Sequence, residues 1–226
     1  MAQLTSAQTL LWFRPLSPLN YTLPTALAQQ PWADSQHIPI DILQPCSVSV
    51  GDIQAIQTAC AWVISSPTAA HLAAPLGAPA CIAVMGAPTQ AAWRAAGGAE
   101  PARWFLSPTG ESMGLLKPLL AHQNIAVLRG KRGRNALIEA LQGTGKTLHT
   151  VAVYDKTEHP QFAQQLNTAL AHCPVAVYFS STDQPSRVLA AAQQASILLC
   201  SPVLVSHARV EAAALALGFT RVKRLA

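Results

Sequence analysis

The sequence is poor in charge. Asp, Glu, Lys and Arg together make up 11% of its 226 residues, and only ten are acidic. So few carboxylates leave little material for acid–base machinery built from paired acids. His-Glu-x-x-His does not occur, which removes one common hydrolytic site. Aromatic residues are scarce at 6%. Basic residues never run in blocks of five or more and are not interleaved with aromatics, as a groove for single strands requires, so no nucleic-acid partner is expected. The five cysteines are odd in number and scattered (Cys46, Cys60, Cys81, Cys173, Cys200). With no Cys-x-x-Cys pair they imply neither a disulfide framework nor a zinc site and read as buried thiols. The seven histidines are equally dispersed, and no metal or cofactor signature appears. No long apolar run offers a membrane span, and the opening "MAQLTSAQTL" lacks a basic region ahead of an apolar one, so a cytoplasmic protein is expected.

Half of the residues are hydrophobic and the net charge is +5. That is enough apolar material for a sizeable core, and the length suggests two domains of about 100 residues each. The positive balance favours an acidic ligand without choosing its class. Apolar β-type runs alternate with helix-like runs: "TLLWF", "HIPIDIL", "AWVIS", "CIAVM", "RWFL", "IAVLR", "TLHTVAVY", "VAVYFS", "SILLC" and "FTRVKRL" read as strands. Between them "TQAAWRAAG", "ESMGLLKPLLAH", "RNALIEALQG", "FAQQLNTALAH" and "RVEAAALALG" read as helices. This alternation predicts an α/β fold with parallel sheets flanked by helices.

The chain also repeats itself. "AWVISSPTAAHLAA" returns as "AVYFSSTDQPSRVLAA", each a strand, two serines, a turn and a helix. "VMGAPTQAAWRAAG" is followed in the same order by "VSHARVEAAALALG". Two similar domains follow, and the extended segments 36–45 and 147–160 read as a two-stranded connector between them. The first domain is then discontinuous, 1–38 plus 157–226, and the second is 39–156.

Two motifs fail on inspection. "QGTGKT" would be a phosphate loop only with a further glycine where Ala140 stands, and it ends a helix rather than opening one, so Gly143 and Gly145 read as helix-end and turn residues. "LSPTGESMGLL" has the hydroxylated look of a flavin phosphate loop, but it follows a mid-chain strand, and capping is its simpler role.

"LLWFRP", "WVISSPTA", "IAVMGAPTQAAWRAAG", "AVLRGKRGRNALIEAL", "VAVY" and "VYFSS" occur in an order that resembles the uroporphyrinogen-III synthase family over nearly the whole chain. The resemblance implies two α/β domains with the active site in the cleft between them, no cofactor and no metal. It implies a lyase of heme and tetrapyrrole biosynthesis that cyclises hydroxymethylbilane, a linear tetrapyrrole with eight carboxylates, to uroporphyrinogen III with loss of water and inversion of ring D. A monomer is expected, taking its substrate from hydroxymethylbilane synthase. A two-domain protein that closes over an anionic ligand without chemistry would share these features.

On the matching positions, Tyr154 is the candidate catalytic group, its phenol assisting departure of the hydroxyl. Strand-end packing would equally retain it. The turn bearing Arg129, Gly130, Lys131, Arg132 and Arg134 is a candidate carboxylate anchor, or a solvated basic turn. Ser65, Ser66, Ser180 and Ser181 stand at strand C-terminal ends, where open α/β sheets bind ligands, and where serines also cap helices. Gly86 and Thr89 match the family's Gly-x-x-Thr turn, and Arg14 its Arg-Pro. Ser206, with His207 and Arg209, is a weaker candidate, because 207–210 depart from the family's Gly-Pro-x-Thr and Val210 stands at its hydroxyl, as Phe13 stands at the hydroxyl before Arg14.

Overall fold

Four short strands, "AWVI", "CIAV", "VAVYF" and "PVLV", are buried at every position. A strand with no polar face can only be covered on both sides, which is the condition inside a parallel sheet. A computed structural model describes residues 8–16, 25–30, 32–77, 79–171 and 175–225 and contains such sheets. The expectation for Cys173 lies outside the described residues.

The chain runs through β1 (Thr9–Leu16), α1 (Thr25–Ala28) and β2 (Asp34–Pro45). It continues through α2 (Val50–Thr58), β3 (Ala61–Ile64), α3 (Pro67–Ala73), β4 (Cys81–Val84), α4 (Ala87–Ala95), β5 (Arg103–Leu106), α5 (Leu116–Leu119), β6 (Asn124–Gly130) and α6 (Ala136–Gln142). β7 (Thr147–Glu158) leads to α7 (Phe162–Ala171), β8 (Val175–Phe179), α8 (Gln184–Ala191), α9 (Ala195–Cys200), β9 (Pro202–Val205), α10 (Ala208–Ala216) and β10 (Arg221–Arg224). Two compact units result, 1–42 with 157–226 and 43–156, and β2 and β7 are the strands by which the chain passes between them.

Strand order in the first unit is β10-β9-β8-β1-β2 and in the second β5-β4-β3-β6-β7, every pair parallel. The edges are blunted by charge. β10 reads Arg-Val-Lys-Arg and β5 opens on Arg103, which discourages pairing with another chain. Each sheet has a core on both faces. In the first unit Phe13 stacks on Phe179 at 5.8 Å and meets Phe162 edge-on at 6.2 Å. Leu10, Trp12, Tyr178 and Leu204 fill the opposite face. In the second unit Trp62 and Trp93 meet edge to face at 6.1 Å under α3 and α4. Each such aromatic side chain, fully buried, contributes about 1.5–3 kcal/mol.

Helix starts are set by side chains. Ser49 and Asp52 form a reciprocal capping box that opens α2, a helix not anticipated above. Ser66 caps α3 with Pro67 in its first turn. The helix expected over "ESMGLLKPLLAH" breaks into a 3-10 turn (Ser112–Leu115) and the single turn α5, which carries Pro118.

Two expectations need correction. "SILLC" is the helix α9 rather than a strand, because a five-residue apolar run does not reveal its period. Only Leu198 is buried there, and the following "PVLV" takes the sheet position, opening on a proline whose missing N–H costs nothing at a strand start. The cysteines are not uniformly buried either. Cys81 is enclosed, and burial pushes its thiol up to about 11, but Cys46 is half-buried and Cys60 and Cys200 are exposed. No helix among the described residues is long and apolar enough to cross a membrane.

Candidate active site

The two units match position by position in strand register. Trp12 pairs with Tyr178, and Leu128 pairs with Ile64, which brings Arg14 level with Ser180 and Arg129 level with Ser65. Across the other neighbour, Arg14 pairs with Pro39 and Arg129 with Ala152. Immediately beyond, the register slips in both units. Leu16 pairs with Ile42 and Gly130 with Tyr154, so β2 and β7 each carry one extra residue. Such a bulge re-aims the next side chain. Asp41 and Tyr154 occupy this re-aimed position in the two units.

In the second unit the re-aimed Tyr154 joins Val151 and Val153 on the face under α3. Its hydroxyl lies 3.1 Å from Ser66 Oγ. Ser66 Oγ also accepts the Ala69 N–H at 3.1 Å. Either hydroxyl can donate in this pair, since Ser66 Oγ keeps a second lone pair beside the one that accepts from Ala69. Gly130 makes the arrangement possible, because a Cβ there would stand 2.7 Å from the Tyr154 ring. The Lys131 N–H donates to the Tyr154 carbonyl at 2.9 Å and fixes the backbone of the same pair. The Ser65 N–H is already committed to the Leu128 carbonyl.

On the opposite face of that sheet, Arg129 is buried. Its Nε donates to the Gly130 carbonyl at 3.2 Å and its Nη1 to Asn135 Oδ1 at 2.8 Å. Burial lowers its pKa, which the proximity of Tyr154 partly offsets. The side chain forms one wall of a pocket of about 420 Å³ that Lys131, Asn135, Ile138, Gln142 and Thr150 help to line. The rest of the basic turn is exposed. Lys131 and Arg132 both reach Asp155 at 3.7 Å, and Arg134 has no hydrogen-bond or ion-pair partner among the described residues. Gly86 stands at the cap of α4 in extended backbone, where a Cβ would make only ordinary contact with Pro88. Thr89 is buried, as is its counterpart Val210.

The first unit spends the equivalent positions differently. Asp41 is gripped by Arg187 of α8 through two short bonds, at 3.0 and 2.8 Å, and Glu158 and Asp183 lie within 3.7 Å of the same guanidinium. The amides of Ser180 and Ser181 do not open to a ligand. Both donate to Gln184 Oε1, at 2.7 and 3.1 Å, while Gln184 Nε2 donates to the Phe13 carbonyl at 2.8 Å. Gln184 is thus an internal occupant of the second Ser-Ser turn. Ser206 Oγ donates to the Ser180 carbonyl at 3.3 Å. Arg14 meets the hydroxyl of buried Tyr178, which also reaches Ser206. Burial raises that phenol's pKa, and the Arg14 charge and the two hydrogen bonds pull it back. Phe13, at the position of a family hydroxyl, belongs wholly to the aromatic core.

Sequence reasoning did not find Asn135, Gln184, Asp41 or Arg187. A lone acid inside the apolar run "HIPIDIL" was a usable sign of a paired buried charge. Asn135 occupies the cap of α6, but its side chain turns to Arg129. Nothing local marks Gln184.

Each unit is a parallel α/β unit with hydroxyl and arginine side chains at its strand C-terminal ends, the end at which open α/β sheets hold their ligands. The family model of Uroporphyrinogen-III synthase HemD matches residues 44–223, and the chain belongs to that family, whose members act in tetrapyrrole biosynthesis. Among solved structures, a mutant uroporphyrinogen III synthase from the extremely thermophilic bacterium Thermus thermophilus is similar at 16% identity with a TM-score of 0.63, over 96% of this chain and 92% of that one. Uroporphyrinogen-III synthetase from Helicobacter pylori is similar at 10% identity with a TM-score of 0.60, over 95% and 92%. Both likenesses are of fold. No curated protein sequence matches the chain significantly.

Proposed function

We propose that the protein is a cyclising lyase, closing hydroxymethylbilane to uroporphyrinogen III with ring D inverted, and that Tyr154 is its catalytic group. The observation that carries this is the Ser66–Tyr154 hydroxyl pair at 3.1 Å, in a chain of the synthase family. The phenolic hydrogen is directed to the terminal hydroxyl of the substrate, which leaves as water and gives an electrophilic azafulvene. The substituted carbon of ring D attacks it, the spiro intermediate fragments, and the ring recloses in the opposite sense with loss of a proton from carbon. A phenol with a reference pKa near 10 is a weak acid, so its contribution is hydrogen bonding to the departing oxygen rather than full proton transfer. Most of the rate comes from holding the chain ends in the unfavoured geometry.

On this reading Arg14, Arg129, Lys131 and Arg134, with the turns at Ser65, Gly86, Thr89 and Gly130, bind substrate carboxylates. Ser180, Ser181 and Ser206 contribute hydroxyls rather than amides, since the amides of the Ser-Ser turn are held by Gln184. The protein works as a cytoplasmic monomer supplied by hydroxymethylbilane synthase. A coupled assay tests the reading: freshly generated hydroxymethylbilane is supplied and the type I and type III porphyrins are separated after oxidation. Dominant type III product is expected. Type I alone from folded protein refutes it and leaves a binding protein.

A further inference from the structure

We infer that the pocket between α6 and β7 is a carboxylate-binding subsite in which Arg129 is the cation and Asn135 its positioning residue. The inference rests on the synthase reading only for the kind of molecule that brings the carboxylate. The pocket has the volume to take a carboxylate-bearing side arm, at about 420 Å³, and it is walled by Arg129, a residue only 6% exposed. A buried cation is normally retained with an acid beside it. Among the described residues no carboxylate lies within ion-pair distance of Arg129, although Glu139 lines the same pocket from the exposed side of α6. The partners present are both neutral acceptors, the Gly130 carbonyl and Asn135 Oδ1.

That choice has a physical consequence. A neutral acceptor orients the guanidinium without spending its charge, and the remaining N–H donors keep their capacity for a bidentate bond to an incoming carboxylate. The loop is shaped around this arrangement. A Cβ at Gly133 would lie 2.6 Å from Arg129 Nη2, so glycine leaves the guanidinium its place. Thr150 and Gln142 add polar groups to the wall, while Ile138 keeps it partly apolar, which strengthens the attraction for a desolvated anion. The pocket is on the opposite face of the sheet from the Ser66–Tyr154 pair, so it holds a part of the ligand that does not react.

Asn135→Asp separates this role from a structural one. Aspartate has the same shape and accepts the same bond, but it neutralises Arg129. A purely structural contact predicts that the variant keeps or gains thermal stability and binds as before. The subsite predicts that stability is kept and that affinity for uroporphyrin III, a stable octacarboxylate read by its fluorescence, falls at least about ten-fold. Arg129→Gln and Gly133→Ala are measured alongside, and each is expected to weaken binding to a similar extent. Binding within about two-fold of the wild type in Asn135→Asp, or in Arg129→Gln should the first variant fold poorly, overturns the inference. The two readings fail separately, because a wild type that binds uroporphyrin III but makes only type I product removes the synthase reading and leaves the subsite standing.

Discussion

Both units place an arginine at the end of a central strand and a bulge in the neighbouring strand, yet they put opposite chemistry at the bulge. In the second unit the re-aimed residue is Tyr154, whose hydroxyl pairs with Ser66 Oγ. In the first it is Asp41, locked by Arg187, a guanidinium that Glu158 and Asp183 also approach. The Ser-Ser turns diverge in the same sense. Ser66 caps its helix and serves the tyrosine, whereas Ser180 and Ser181 are tied to the side chain of Gln184. A duplicated scaffold supplies two equivalent positions, and here one holds a buried ion pair while the other holds the tyrosine proposed as the catalytic group.

The sharpest way to break this comparison is to remove the lock. Arg187→Met leaves Asp41 buried without its partner, and urea denaturation is expected to show a loss of about 3–5 kcal/mol. A loss under about 1 kcal/mol would mean that Asp41 is solvated and the first unit is not using the position structurally. Next in size is Gln184→Leu, which orphans two backbone donors at the second Ser-Ser turn. A cost of about 1–3 kcal/mol is expected from thermal melts. The equivalent turn at Ser65 and Ser66 has no such side-chain occupant among the hydrogen bonds described, so no single substitution there should reproduce this loss by the same route.

Tyr154→Phe and Tyr178→Phe compare the two phenols directly. The first is expected to lower the rate of type III formation about ten-fold or more with the fold intact, about 1.4 kcal/mol of barrier. The second should change turnover less, since the Tyr178 hydroxyl serves Arg14 and Ser206 within the first unit. Equal losses in circular-dichroism-matched variants would erase the proposed division of labour.

The smallest effect is a pH dependence confined to the first unit. His37 stacks on Trp12 at 4.4 Å, and its Nε2–H donates to the Arg14 carbonyl at 3.1 Å. Burial, foremost, lowers its pKa, the Arg14 charge acts in the same direction, and the bond to the carbonyl opposes both. A depressed folded-state value means that the unfolded chain takes up the proton first. The contribution of His37 is therefore fully present above the unfolded value near 6.5 and is lost as pH falls below it toward the folded value. The second unit has Thr150 at the corresponding place. His37→Gln should flatten the slope of stability below about pH 6.5, and an unchanged slope would assign the dependence elsewhere.

Strand and helix alternation, the repeat, the parallel sheets and the two connecting strands were all legible in the sequence. Each depends on local composition and on burial on both faces, which leave a continuous apolar signature. The positions of Arg14, Arg129 and the four serines at strand ends followed from the same alternation. The residues that distinguish the two units did not. Counting in twos along "HTVAVY" puts Tyr154 on the face of Thr150 and Ala152, and along "HIPIDI" it puts Asp41 on the face of His37. The bulges reverse both assignments. A bulge is a property of two strands in register, with the extra residue defined only against its partner, so no single stretch of chain encodes it visibly. Gln184 reaches Phe13 across 171 positions, a contact that likewise exists only once the sheet has formed. The sequence by itself determined that two similar α/β units would be built with basic and hydroxyl groups at their strand ends. Tertiary structure alone decided that one unit would lock its bulged position with an ion pair while the other would aim a tyrosine from it.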